Sequence, residues 1–337
     1  MKPVIFGLSG PSLTADERAF FREAAPAGYI LFKRNVENRA QLRALTDALR
    51  ALAGRDDLAI LIDQEGGRVA RMQPPEWPAF PAGPAFDKLY DIAPVSGIEA
   101  ARANARAIAL TLAEVGITVD CLPLLDVAHP DTTEAIACRA LGHEPMRVAA
   151  MGRATLEGLR DGGVVGVVKH MPGHGRARVD SHYDLPVVEA SEEELEIDLA
   201  PFRSLAWAPM AMTSHIIYKT WDAERPATLS PIVIDEVIRG RIGFDGLLMT
   251  DDIDMKALSG SAGDKAAAAI AAGCDVVLDC WARMDEMVEI AERLGEMPDR
   301  SRARLDAAMH GAGTRRGDGV DDLEALIAQR DALLALA

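Results

Sequence analysis

The chain has 337 residues, of which 49% are hydrophobic, so it can build a large core in one big domain or two ordinary ones. Its formal net charge of −16 argues against binding to nucleic acid or anionic membrane surfaces, both of which favour basic patches. Four cysteines without a CxxC pair indicate free thiols in a reducing compartment. No stretch approaches the roughly 18 apolar residues of a membrane helix. We therefore expect a cytoplasmic protein.

Short apolar runs alternate with stretches of helical periodicity from one end of the chain to the other. The predicted strands are residues 4–8, 29–32, 58–62, 118–122, 164–169, 210–214, 247–250 and 276–279. The predicted helices are residues 15–25, 38–53, 97–115, 146–160, 192–206, 231–239, 265–272 and 284–294. Capping signals mark several helix ends, namely the boxes Thr14/Glu17 and Ser191/Glu194 and the closing glycines Gly54, Gly116, Gly240 and Gly273.

The alternation of these elements predicts the fold class. Eight strand–helix pairs indicate a parallel sheet in an α/β protein, and at this length a single-domain (β/α)8 barrel of the TIM type. We expect the barrel to span residues 1–297, with residues 298–337 forming a helical tail packed on it. A doubly wound open sheet is the competing fold, because periodicity does not count strands reliably.

The lengths of the connections indicate which face of the fold is active. Connections from a predicted helix to the next strand are short, whereas three connections from strand to helix are long. These three cover residues 63–96, 121–145 and 169–191. Long loops without their own structure are usually functional, and all three leave the carboxyl ends of strands.

Chemically versatile side chains crowd the carboxyl ends of the predicted strands. The valine-rich strand at 164–169 is followed by Lys169, His170, His174, Asp180 and His182, among Pro172, Gly173 and Gly175, which shape a loop. The other strand ends supply Asp63, Glu65, Arg68, His215, Asp251 and Asp252. This mixture of acids, bases and cations is what a site for a polar substrate requires.

Three kinds of chemistry could use the histidine-rich loop. His170, His174, Asp180 and His182 could bind zinc, although their spacing matches no known zinc signature. The glycines at 173 and 175 could cradle a phosphate, although the third glycine of GxGxxG is absent. His182 could act as an acid and base, with Asp180 fixing its tautomer.

Three motifs carry a resemblance to a known family. Residues 169–175 read KHMPGHG and are followed by DSH at 180–182, residues 62–71 read IDQEGGRVAR, and residues 250–255 read TDDIDM. Together they closely resemble the signature of the NagZ-type β-N-acetylhexosaminidases of glycoside hydrolase family 3. The resemblance runs the length of the predicted barrel.

The resemblance implies a role for each matching residue. Asp251 would be the catalytic nucleophile, and His182, supported by Asp180, the acid/base. The residues that would bind N-acetylglucosamine (GlcNAc) are Asp63, Arg71, Arg139, Lys169 and His170. The implied activity is a retaining exo-β-N-acetylglucosaminidase without cofactor or metal. It would act, as a monomer, on peptidoglycan fragments that carry GlcNAc on anhydro-N-acetylmuramic acid (anhydroMurNAc), in cytoplasmic cell-wall recycling. We interpret Asp252 as a helix N-terminal acid rather than as an orienting neighbour of Asp251.

Two other classes of function stay open at this stage. A metal-dependent hydrolase could use the histidine-rich loop, and a barrel without catalytic activity could bind sugar through the same residues. The loop must in any case bring His182 to the bond that is cleaved, so we expect it to move.

Overall fold

The computed structural model describes residues 1–312 and 323–337 of the chain. Its centre is a closed barrel of parallel strands, which are β1 (Lys2–Gly7), β2 (Pro26–Leu31), β3 (Ala59–Ile62), β4 (Val119–Asp120), β5 (Val165–Met171), β7 (Met210–Thr213), β9 (Leu247–Asp252) and β10 (Val276–Asp279). A separate parallel pair is formed by β6 (Val187–Val188) and β8 (Ile217–Tyr218). Val4 of β1 pairs with Val277 of β10, which closes the sheet on itself. The predicted (β/α)8 barrel is confirmed, and the open sheet is excluded.

Helices surround this barrel. They are α1 (Ala15–Ala24), α2 (Arg39–Ala53), α3 (Gly83–Ile92), α4 (Pro94–Glu114), α5 (Glu134–Ala137), α6 (Pro145–Asp161), α7 (Glu192–Ser204), a π-helix (Val233–Ile242), α8 (Ala262–Ala272), α9 (Met284–Arg293), α10 (Asp299–Met309) and α11 (Leu323–Leu334). Two 3₁₀ turns cover Lys33–Asn35 and Ala227–Leu229. Every predicted strand overlaps a barrel strand, and every predicted helix overlaps a helix.

The capping predictions mostly hold. Both capping boxes form, and Gly54 and Gly273 close α2 and α8 in the left-handed conformation. Gly240 was wrongly predicted to end its helix. The π-helix continues through it to Ile242, and Gly243 takes the left-handed closing position.

Two apolar layers hold the fold together. Inward-facing side chains such as Ile5, Leu61, Val167 and Met249 fill the barrel, and a second layer packs its outer face against the helices. Near the amino ends of β9 and β10, Arg304 of α10 binds Asp275 at 2.9 Å. Carboxylates, imidazoles and cations collect around a cavity at the opposite end, where the carboxyl ends of the strands lie.

The helices after residue 297 lie on two different parts of the barrel. Leu305 and Met309 of α10 pack against the barrel interior, and α11 packs on α3 and α4. Residues 313–322 of the predicted tail lie outside the described residues, and the division of the chain at residue 297 stays a prediction. Among the described residues, no helix is long and apolar enough to cross a membrane.

Candidate active site

The carboxyl ends of the strands open into a cavity of about 600 Å³. The predicted site residues that line it are Asp63, Arg71, Arg139, Lys169, His170, His182 and Asp251. The eighth, Asp180, is hydrogen-bonded to His182. The structure therefore brings all eight residues to one place, although they are spread over nearly 190 positions of sequence, from 63 to 251.

One wall of the cavity is a buried cluster of opposite charges. Lys169 of β5 places its Nζ 3.2 Å from Asp63 Oδ1 and 2.6 Å from Glu65 Oε1. Arg71 Nη2 lies 3.1 Å from Asp63 Oδ2. Arg139 donates to both carboxylate oxygens of Glu65, at 2.7 and 2.6 Å. Glu65 therefore holds two cations side by side, a role that its place in the sequence did not reveal.

Both carboxylates of the cluster and the ammonium of Lys169 are ionised at neutral pH. Burial raises the pKa of Glu65, but Arg139 and Lys169 outweigh burial and lower the pKa to about 2. Burial is likewise outweighed at Asp63, where Lys169 and Arg71 hold the pKa below its ordinary value. Burial lowers the pKa of Lys169, but the two carboxylates raise it above its ordinary value. Three cations thus face two carboxylates, and the excess positive charge favours a ligand rich in hydrogen-bond acceptors.

A tight turn after β3 places Glu65 in this cluster. The backbone N–H groups of Glu65 and Gly66 both donate to the carbonyl of Val69, at 2.9 and 3.1 Å. Gly66 has a φ of 97°, and a Cβ there would lie 2.3 Å from the carbonyl oxygen of Pro81. The turn therefore requires glycine at this position.

Asp126, which the sequence did not single out, organises the start of the histidine-rich loop. Its Oδ2 lies 2.7 Å from His170 Nδ1, and its Oδ1 accepts the backbone N–H of His170 at 3.2 Å and of His174 at 2.6 Å. Burial raises the pKa of Asp126, but His170 outweighs it and lowers the pKa to about 2. The ionised carboxylate accepts a hydrogen bond from Nδ1 of His170, so the other ring nitrogen, Nε2, is left for a ligand.

The loop beyond Gly175 carries the predicted acid/base pair. His182 Nδ1 lies 2.7 Å from Asp180 Oδ1, which also accepts the backbone N–H of His182 at 3.0 Å. Burial raises the pKa of Asp180, but these two hydrogen bonds lower it below the ordinary value. Asp180 is therefore ionised at neutral pH and fixes the ring of His182. The side chain of His182 is 63% exposed, at the mouth of the cavity.

Asp251 lies at the end of β9, on the inner wall of the barrel. Its Oδ1 accepts the backbone N–H of Asp252 at 2.8 Å. Burial raises the pKa of Asp251, but His170, His215 and the backbone N–H of Asp252 together outweigh burial, and the pKa falls below its ordinary value. The carboxylate is therefore anionic at neutral pH, as a nucleophile or an electrostatic partner would have to be.

The interpretation of Asp252 as a helix N-terminal acid was wrong. Asp252 belongs to β9, and its Oδ1 accepts the backbone N–H groups of Asp254 and Cys280, at 3.2 and 3.3 Å. Burial raises its pKa to about 6. Its carbonyl accepts a hydrogen bond of 2.9 Å from Nε2 of the buried His215. Asp252 therefore fixes the strand end that carries Asp251.

The two other interpretations of the histidine-rich loop fit the geometry poorly. A phosphate at the glycine turn would need backbone N–H groups there, but the N–H of Gly173 donates to the carbonyl of His170 and that of His174 donates to Asp126, at 2.8 and 2.6 Å. Across residues 1–312 and 323–337, no group of three or more His, Cys, Asp or Glu side chains is arranged to hold a metal ion. The imidazoles of His170 and His182 are instead bonded to separate carboxylates.

A closed (β/α)8 barrel with carboxylates, imidazoles and cations around one cavity at its carboxyl end defines a barrel enzyme with a polar substrate. Comparison with known proteins narrows this class. Residues 8–310 match the Glycosyl hydrolase family 3 N terminal domain. The chain therefore belongs to glycoside hydrolase family 3 and is a glycoside hydrolase, as the three motifs predicted.

Individual relatives agree with this assignment. The Beta-hexosaminidase of Bordetella avium is 36% identical over 314 residues, which cover 90% of this chain and 88% of that protein. The Beta-hexosaminidase of Alkalilimnicola ehrlichii is 38% identical over 283 residues, covering 82% of this chain and 80% of that protein. The structure of NagZ from Neisseria gonorrhoeae with N-trifluoroacetyl-D-glucosamine superimposes with a TM-score of 0.87 at 31% identity, over 100% of this chain and 98% of that one.

Proposed function

We propose that this protein is a retaining exo-β-N-acetylglucosaminidase that removes terminal, non-reducing GlcNAc. We propose peptidoglycan fragments that carry GlcNAc on anhydroMurNAc as its substrates, in cytoplasmic cell-wall recycling. The Beta-hexosaminidase relatives support the reaction, and the family resemblance suggests the substrate. One observation carries the proposal: the anionic Asp251 and the His182–Asp180 pair line or border the same cavity as the cluster of Asp63, Lys169 and Arg71.

The charged cluster would bind the GlcNAc unit. Each Asp63 oxygen bonds one cation and retains a lone pair, so the carboxylate can accept two sugar hydroxyls. Arg139, Lys169 and the Nε2 of His170 add donors or acceptors for the remaining polar groups. Because the cluster is already ordered by its own ion pairs, little side-chain entropy is lost when the sugar binds.

The reaction would proceed in two steps. A carboxylate oxygen of Asp251 attacks the anomeric carbon and forms a glycosyl ester, while the glycosidic C–O bond breaks and the leaving oxygen takes the proton of His182. In the second step His182 removes a proton from water, the water oxygen attacks the anomeric carbon, and the ester bond to Asp251 breaks. Asp180 keeps Nδ1 of His182 protonated throughout, so that Nε2 carries the transferred proton.

Hydrolysis of 4-nitrophenyl β-N-acetylglucosaminide, with and without a chelator, tests this function. We expect turnover that resists the chelator and falls roughly 10³-fold or more in Asp251→Ala, while the exposed Asp56→Ala keeps the native rate. The first anomer released, observed by ¹H NMR, should have the β configuration. Turnover that a chelator abolishes would instead support a metal-dependent hydrolase, and sugar binding without turnover a non-catalytic barrel.

The proposed substrate needs a separate comparison. We expect kcat/KM for GlcNAc–anhydroMurNAc to exceed that for the GlcNAc disaccharide chitobiose, measured under the same conditions. A preference for chitobiose would contradict the peptidoglycan substrate and leave the N-acetylglucosaminidase reaction in place.

A further inference from the structure

Residues 178–184 form the part of the loop that carries Asp180 and His182, here called the acid/base loop, and a single one of them is buried. In the stretch 178–184 the side chains are exposed or half-exposed except for Ser181, which is 4% exposed. Its neighbours Asp180 and His182 carry the proposed proton chemistry, and Tyr183 is 74% exposed. The stretch therefore touches the body of the protein at a residue that has no role in the proposed reaction.

The partner of Ser181 is a buried histidine. Ser181 Oγ lies 3.3 Å from His174 Nε2, and the other ring nitrogen of His174, Nδ1, is buried without a partner among the described residues. Burial lowers the pKa of His174 to about 4, so the ring is neutral at neutral pH. If Ser181 left, both ring nitrogens would be unpaired in the protein interior, which is unfavourable. The contact therefore favours the docked loop.

Few other contacts hold this stretch. On one side Arg176 binds the buried Asp198, and on the other side β6 pairs with β8. The backbone carbonyls of Ala177 and Pro186, next to these anchors, accept hydrogen bonds from the N–H groups of Thr133 and Ile217. Within residues 178–184, the other polar contact to the rest of the described chain is the ion pair of Arg178 with Asp131, whose side chains are 77% and 68% exposed. An ion pair this exposed contributes little to stability.

The same histidine is connected to the sugar-binding wall of the cavity. The ring of His174 lies edge-on to that of His170, with centroids 5.5 Å apart, and both residues donate backbone N–H groups to Asp126. His174 and His170 are therefore both positioned by the carboxylate of Asp126. The docking point of the loop and the proposed sugar site share one rigid support.

We propose that the Ser181–His174 hydrogen bond is a docking contact that places the loop carrying Asp180 and His182 over the substrate bond. Ser181 and His174 are then positioning residues for the acid/base, a role that rests on the proposed function of His182. The contact acts through geometry alone, because neither side chain touches the reacting atoms.

This role predicts a dependence on the leaving group. A phenol of low acidity departs only when it is protonated, so its release needs a well-placed His182, whereas 2,4-dinitrophenol departs unprotonated. Loss of the docking contact therefore slows the first kind of substrate and spares the second. Damage to the sugar site or to folding would slow both kinds equally.

The test compares phenyl and 2,4-dinitrophenyl β-N-acetylglucosaminides in four variants. For Ser181→Ala we expect kcat/KM on the phenyl substrate to fall about 10-fold, and on the dinitrophenyl substrate to stay within about twofold. Ser181→Thr, which keeps the hydroxyl, should recover most of the phenyl activity. Arg178→Ala, which removes the exposed contact, should match the native enzyme on both substrates. His182→Ala should show the full leaving-group effect, on the order of 10²-fold or more.

Two results would overturn the docking contact and can be told apart. If His182→Ala shows the leaving-group effect but Ser181→Ala behaves as the native enzyme or slows both substrates equally, the docking contact is wrong and the proposed acid/base stands. If His182→Ala shows no leaving-group effect, the proposed acid/base fails, and the docking contact fails with it.

Discussion

The guanidinium of Arg139 binds the carboxylate of Glu65 through two parallel hydrogen bonds, at 2.7 and 2.6 Å, and Glu65 reaches Lys169 with the same carboxylate. We expect Arg139 and Lys169 to bind the substrate. Both are positioned by Glu65, which need not contact the substrate itself. A bidentate pair fixes the plane of the guanidinium as well as its position. The buried carboxylate of Glu65 therefore fixes the positions of both the Arg139 guanidinium and the Lys169 ammonium.

Replacement of Glu65 by glutamine should therefore damage substrate binding. The new side chain would be nearly the same size but neutral, which leaves Arg139 buried without its anion. We expect KM for the aryl substrate to rise at least about 10-fold, and the free energy of unfolding to fall by about 3 kcal/mol. Denaturant titration and steady-state kinetics measure the two effects. Glu76→Gln, which weakens an ion pair to Arg39 at the surface, is the control and should change little. An unchanged KM in Glu65→Gln would contradict this role.

Asp126 should contribute stability that depends on pH. Its pKa is about 2 in the folded protein, below its ordinary value of 3.8, so ionised Asp126 stabilises the fold above pH 4. This contribution is lost as the pH falls from about 4 to about 2, and linkage sets it at roughly 2 kcal/mol. In Asp126→Asn we expect a flatter dependence of the unfolding free energy on pH in this window. If the unfolding free energy of the native protein and of Asp126→Asn depended on pH equally in this window, the proposed contribution of ionised Asp126 would be wrong.

Ionised Asp279 should destabilise the fold, whereas ionised Asp126 should stabilise it. Its Oδ2 is buried without a partner among the described residues, and burial and the nearby Asp252 raise its pKa to about 7. The unfolded chain ionises at lower pH than the folded one, so this residue costs stability as the pH rises from about 4 to about 7. We expect Asp279→Asn to be more stable than the native protein at pH 8, by about 1 kcal/mol or more, and to lose that advantage at pH 4. Chemical denaturation at both pH values measures it, with the exposed Asp285→Asn as control. A stabilisation that is the same at pH 4 and pH 8 would contradict ionisation as its cause.

The architecture could be predicted from local patterns. Each buried strand is a short apolar run, and each amphipathic helix has a 3.6-residue period, so the eight units are visible without tertiary information. The failures occur where packing overrides local signals. α3 lies inside a segment predicted to be loop, where prolines at 81, 84 and 94 hide its bounds. The π-helix runs past Gly240 because its apolar side chains continue to pack against the barrel.

The site could be predicted only in part. Residues at strand ends were recognised because parallel strands bring their carboxyl ends together. The supporting residues were missed, since the partners of Glu65 are 74 and 104 positions away in sequence and no local pattern records them. The one local signal for Asp126 is its position, because it is a carboxylate that directly follows the apolar run at 121–125.

The base of the acid/base loop should tolerate no side chain at residue 175. A Cβ on Gly175 would lie 1.8 Å from the carbonyl oxygen of Val127, so backbone must shift to make room. We expect Gly175→Ala to lower the free energy of unfolding by about 2 kcal/mol and kcat/KM by about 10-fold or more, because the shift moves the segment that leads to His182. Gly10→Ala is the matched control, since nothing lies within 4 Å of its added Cβ, and its stability should stay within about 0.5 kcal/mol of native. Thermal unfolding and kinetics on the phenyl substrate measure both variants. If Gly175→Ala were as stable and active as Gly10→Ala, the close packing of the loop base against Val127 would not matter for the position of His182.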